Sequence, residues 1–156
     1  MQTIVLLAWL ALCAAQDARQ RRIANALTLG AGALALACLL LTGRTWIGAD
    51  AAQGGWAFGL ALAFTLPGYL MGRMGAGDVK LMTALGLATD GLWVLAAVIG
   101  AALASVAWWL LAPRVWLHMS QGLRERLRYL GPDSSKKLPY APFVLVGVGL
   151  AWPWIH

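Results

Sequence analysis

Six apolar stretches, divided by short connections that hold nearly all of the charge, constrain this chain more than any other feature. They cover about 1–16, 23–43, 54–72, 79–89, 92–112 and 138–156. A helix needs about 20 apolar residues to cross about 30 Å of hydrocarbon, and in lipid only a helix or a closed barrel satisfies its own backbone. Most of these stretches approach that length; the first is a little short and the fourth much too short alone. Of the 156 residues, 12% are charged and 61% hydrophobic. That is about half the charge of an ordinary soluble domain, too little to build a water-facing surface. The pattern predicts an all-α integral membrane protein of about six transmembrane helices, with residues 1–156 forming one membrane-embedded domain.

The connections set the orientation. Counted over alternate loops, eleven of the twelve bases fall on one side, and Arg44 stands alone on the other. Basic loops stay in the cytoplasm, so both termini are expected on the opposite, outer face of the membrane. The fourth stretch tests this scheme. One continuous helix from about 79 to 112 would carry the basic loop 113–137 to the side opposite Arg73 and Lys80. A turn at Thr89–Gly91 keeps the bases together, and Asp-Gly is a natural turn pair. Trp46, Trp56, Trp93, Trp152 and Trp154 fall near expected outer helix ends and Trp116 near an inner one, as in an aromatic belt.

Other classes are disfavoured. The net charge of +6 is spread between apolar runs and forms no aromatic-interleaved surface, so no nucleic-acid partner is expected. Residues 1–16 lack a basic segment ahead of the apolar run, and they read as a retained first helix rather than a signal peptide. Cys13 and Cys38 fall in apolar runs without a CxxC pair, so neither a zinc site nor a disulfide is implied. In loop 113–137, Leu123, Leu127 and Leu130 recur at helical spacing among arginines, which suggests a short amphipathic helix on the inner membrane surface.

Familiar catalytic signatures are missing, including GxSxG, HExxH and the P-loop. His118 and His156 read as surface residues, and no metal or cofactor is called for. Of the six acids, Asp50 and Asp90 belong to outer loops, while Glu125 and Asp133 sit among bases. Asp17 and Asp78 differ, because each ends or begins an apolar helix at the cytoplasmic membrane boundary. Two carboxylates within hydrogen-bond distance cannot both ionise and share a proton. The charged one can then activate water while the neutral one polarises a carbonyl. The plainer reading is that Asp17 balances the arginine cluster and Asp78 pairs with Lys80. Gly75 and Gly77, just ahead of Asp78, permit left-handed dihedrals and close backbone approach. Asp78 is expected near a helix N-terminus, which favours its anion.

The stretch "GAGDVKL" resembles the GxGDxK motif of the type IV prepilin peptidases, membrane-embedded aspartyl proteases. "DARQRRIAN", from Asp17 to Asn25, resembles that family's Asp, arginine-rich stretch and Ile-Pro-Asn, with Ala24 where proline is usual. That departure is expected to loosen a helix start. "KLPYAPFVLVGVG" is similar to the opening of the family's last helix. The resemblance implies Asp17 and Asp78 as catalytic pair, with Gly75, Gly77, Lys80, Arg22 and Asn25 in support. It implies cleavage of a prepilin leader peptide at the cytoplasmic face. The CxxC-bearing insertion of the methylating members is absent, so the chain resembles the short peptidases of Tad/Flp-type (type IVb) pili. A proton or ion transporter and a noncatalytic membrane assembly protein are the alternatives.

Overall fold

A computed structural model describes residues 1–131 and 139–155, and among these the chain is helical throughout, with no strand beyond one isolated bridge between Arg44 and Asp50. The helices are α1 (Gln2–Gln20), α2 (Asn25–Thr42), α3 (Ala51–Leu70), α4 (Ala76–Ala88), α5 (Gly91–His118), α6 (Gln121–Arg126) and α7 (Ala141–Ile155), with a 3₁₀ turn at Arg128–Leu130. The six expected apolar helices are present as α1–α5 and α7, with shifted ends.

The chain breaks between α4 and α5, and no continuous helix runs from 79 to 112. The reason is local. The Asp90 carboxylate caps α5 by accepting the N–H groups of Leu92 (2.9 Å) and Trp93 (3.2 Å). Thr89 Oγ1 donates back to the Leu85 carbonyl at 2.7 Å, closing α4. At its other end α5 runs past the expected boundary at 112 to His118, through Pro113. Proline there removes one ladder bond and crowds the carbonyl of Trp109, four residues back, yet the helix continues through it. The amphipathic stretch in the loop is shorter than its leucine spacing suggests. It stops at Arg126, and the chain then folds inward, where the Leu130 carbonyl accepts Trp108 Nε1–H at 2.9 Å.

The helices form two groups. α4 packs chiefly on α3 and α2, while α7 packs on α5 and α1, and α5 joins the groups by touching α3 and α4. Glycines set the closest approaches. A Cβ on Gly86 would lie 2.7 Å from the Ala57 carbonyl oxygen, so α3 and α4 meet nearly backbone to backbone. A Cβ on Gly147 would lie 2.7 Å from Gly100 Cα, which fixes the crossing of α7 on α5 in the same way. Leu81, Met82 and Leu85 of α4 are fully buried. Trp93, expected in an aromatic belt, is instead part of the core, at 1% exposure.

α2 and α5 are long and apolar enough to cross a membrane. Their large apolar side chains face outward: Leu34, Leu40 and Leu41 on α2, and Leu103, Val106 and Trp109 on α5. α4 and α7, at 13 and 15 residues, are shorter than a span ordinarily requires. α4 exposes no large apolar side chain, because neighbouring helices cover it.

Candidate active site

Asp17 occupies the last turn of α1, past the apolar stretch 1–16. The helix closes at Arg21, whose backbone is left-handed (φ 50°) and whose N–H bonds the Asp17 carbonyl at 2.8 Å. The Asp17 side chain points the other way, into the protein, and is 4% exposed. Its Oδ2 accepts the backbone N–H of Ala141, the first residue of α7, at 3.0 Å. The N–H of Tyr140 also faces this carboxylate. In the run Pro139-Tyr140-Ala141-Pro142 these are the two backbone donors, since proline has none. Both serve Asp17. One carboxylate from the start of the chain thus caps the helix at its end, where unpaired N–H groups attract negative charge. Burial raises the Asp17 carboxyl above the ordinary carboxylate range; the Ala141 and Tyr140 N–H groups, and then the Arg21 charge, pull it back.

Asp78 is held differently. It is the third residue of α4, half-buried, and its Oδ2 accepts the N–H of Gly75, the N-cap residue, at 3.0 Å. This is the acidic half of a capping box, made within four residues. The expected place near a helix N-terminus is found. Neither glycine uses the left-handed freedom that it has: Gly75 has φ −83° and Gly77 lies inside the helix, while Gly72, earlier in the turn, has φ 70°. What Gly75 supplies is room. A Cβ there would come within 3.3 Å of Asp78 Oδ2.

Lys80 does not take the part of a simple mate for Asp78. Its Nζ donates to Asn25 Oδ1 at 3.0 Å, tying α4 to the start of α2. Asn25 and Arg22 are exposed. The turn carrying them is pinned by the Ala24 N–H, which donates to Gln16 Oε1 at 2.8 Å. Ala24 has φ −58°, within proline's range. Alanine thus keeps the backbone angle that proline would impose and adds a donor that proline would lack.

One cavity of about 530 Å³ gathers these residues. Asp17 and Asp78 both line it, with Arg22, Arg73, Lys80 and Pro139; Asn25, Gly75 and Gly77 complete the predicted set. Sequence reasoning missed Tyr140, Ala141 and Gln16 as partners. The Leu-Pro-Tyr-Ala-Pro run marked the segment, but nothing in it indicates a bond to a residue 124 positions away. His118 lies outside the site, its Nδ1 2.9 Å from the Arg114 carbonyl. Asp133, Lys136, Lys137 and His156 lie outside the described residues. Among the described residues no three His, Cys, Asp or Glu side chains gather as metal ligands would.

A family model described as the type IV leader peptidase family matches residues 4–110. Comparison with curated proteins gives no match, and neither does comparison with solved structures.

Proposed function

The chain belongs to the type IV leader peptidase family, and on that premise we propose that it is an aspartyl endopeptidase cutting prepilin leaders with Asp17 and Asp78. One observation carries the assignment of these two acids: they come from helices far apart in sequence and line the same cavity.

The chemistry follows from their unequal surroundings. Asp17 is buried and its Oδ2 already accepts the Ala141 N–H, so a proton is best held on Oδ1, from which it can be donated to the scissile carbonyl. Asp78, half-buried at a helix N-terminus, is the better anion and takes the proton from the attacking water. As the tetrahedral centre collapses, the acid–base roles reverse and the leaving amine is protonated. Lys80 and Asn25 support this by fixing α4 against the α1–α2 turn. Arg22 contributes positive charge at the cavity rim, and the glycines let a substrate backbone come close.

The substrate is a prepilin of the type IVb/Flp class, cut before its apolar helix, and the enzyme sits in the bacterial inner membrane as one domain. All six apolar helices, α1–α5 and α7, cross or enter the bilayer, with both termini periplasmic and the cavity at the cytoplasmic face. The outward apolar faces of α2 and α5 support this, as does the basic α5–α6 region. α4 is short for a span but is sheltered by protein rather than lipid.

Co-expression of a small pilin precursor with wild type, Asp17→Asn and Asp78→Asn tests the reading directly. Leader removal by wild type alone supports it, and processing by either variant would rule the dyad out.

A further inference from the structure

The last turns of α1 meet the cavity with two adjacent polar side chains. Asp17 turns inward to cap α7, and Gln16, one residue earlier, is half-buried on the adjoining face, about 100° round the helix. Both line the cavity. The Gln16 carboxamide is held there by a bond in which its Oε1 accepts the Ala24 N–H at 2.8 Å. That bond also decides which end of the carboxamide is which. A backbone N–H can only donate, so the oxygen must face Ala24 and the NH2 group must face away from it. Among the described residues Ala24 is the one hydrogen-bonded partner of the Gln16 side chain, and the amide keeps two donors in a group that lines the cavity.

The bond to Ala24 does not by itself account for a glutamine here. It lies at an exposed position, where water can replace the carboxamide oxygen at little cost. A pair of N–H donors fixed on a cavity wall is suited instead to the main-chain carbonyls of a bound peptide. In a helix those carbonyls are already engaged by N–H groups four residues on, so such donors favour an unwound segment. Asn25, across the turn, is oriented by the same logic, since its Oδ1 accepts Lys80 Nζ at 3.0 Å. Asn25 is exposed and its partner is a long, rotatable side chain, whereas Gln16 is half-buried and fixed by backbone.

We infer that Gln16 is a substrate-binding residue: its NH2 group donates to a main-chain carbonyl oxygen of an extended peptide lying in the cavity beside Asp17. The inference rests on the peptidase reading and deepens it by naming what this wall recognises, the peptide backbone rather than a particular side chain. The Ala24 N–H sets the amide's orientation before the peptide arrives, so less rotamer freedom is lost on binding.

The test uses the full-length enzyme in liposomes with synthetic precursor peptides in which each backbone amide flanking the scissile bond is replaced in turn by an ester. An ester carbonyl is a weaker acceptor than an amide carbonyl. Wild type is compared with Gln16→Met, which keeps the length of the side chain without its polar atoms, and with Gln16→Glu, which keeps an acceptor for Ala24 and, when ionised, has no donor. On the all-amide peptide Gln16→Met should raise KM by about tenfold or less with kcat nearly unchanged, as loss of one binding hydrogen bond does. One ester position should weaken binding to wild type and leave both variants unaffected, a non-additive pairing that a purely structural glutamine would not produce. An unchanged KM for Gln16→Met would overturn the inference, as would the same ester penalties in all three proteins. Retention of the wild-type ester pattern by Gln16→Glu would also overturn it, because the acceptor bond to Ala24 would then be the whole role. If Asp17→Asn or Asp78→Asn still cleaves, the peptidase reading itself fails and this inference falls with it. If both are dead and the ester pattern is indifferent to residue 16, only the role of Gln16 is lost.

Discussion

The two acids of the cavity are chemically identical and structurally opposite. Asp78 is held by its own helix, through a bond to the N-cap three residues earlier. Asp17 is held by the far end of the chain, through the first N–H groups of α7, and is nearly sealed from solvent. A locally held acid can be altered without disturbing the fold around it. One that caps a distant helix serves the fold and the chemistry at once, and its two duties have to be separated by experiment.

The largest effect expected is on turnover, where the acids should look alike. Asp17→Asn and Asp78→Asn should each lower kcat for leader cleavage by about 10³-fold or more, as loss of a general acid or base does. Unequal losses of several powers of ten would break the dyad into one essential and one auxiliary group.

Stability should then separate them. Asp17→Ala leaves the Tyr140 and Ala141 N–H groups without their acceptor in a buried place, and should cost about 1–3 kcal/mol in detergent unfolding. Asp78→Ala removes a capping interaction at a half-buried position and should cost about 1 kcal/mol or less. Asp17→Asn, which retains an acceptor oxygen, should recover much of the difference while remaining inactive. Equal losses for the two alanine variants would mean that the cap on α7 contributes little.

The pH dependence of unfolding sharpens the contrast further. The native Asp17 carboxyl is raised above its unfolded value, so in the window between the two the folded protein holds a proton that the unfolded chain has released. Stability from this group is therefore present below the unfolded carboxylate value and declines as pH rises through the folded one. Asp17→Asn has no such proton, and its profile over this window should be flatter than that of wild type. An unchanged profile would place the acid in a more hydrated setting than its burial indicates.

The smallest effect concerns the turn beside Asp17. Ala24→Pro fits the backbone angle but deletes the N–H bond to Gln16, so unfolding should shift by about 1 kcal/mol or less and activity should persist. A large loss would show that the Gln16 tether, and not the α7 cap alone, keeps the end of α1 in register.

Much of this was legible in residue order. The break at Thr89–Asp90 could be read because the capping chemistry of Asp90 is local, and the helical apolar runs because hydropathy is additive along the chain. Asp78 at a helix start was legible for the same reason. Trp93 was misread, since an aromatic residue near a helix end serves a belt or a core equally well until its neighbours are known. Which of their two freedoms Gly75 and Gly77 use could not be read from the sequence. Glycine permits a left-handed turn without requiring one, and here the spare volume beside Asp78 is what is used. Lys80 drew attention as a mate for Asp78, two residues away, whereas a long side chain on a helix reaches across to another element, here Asn25.

By itself the sequence determined a helical, apolar chain with its bases gathered on alternate connections, and it marked two acids whose motif blocks both lie in the stretch that the leader peptidase family model matches. These depend on properties of single residues and near neighbours, which survive without a fold. Only the tertiary structure decided that Asp17 is capped by Tyr140 and Ala141, that Lys80 belongs to Asn25, and that both acids open onto one cavity. Each depends on how α1, α2, α4 and α7 pack, and that packing is set by glycine contacts and buried side chains spread over the helices.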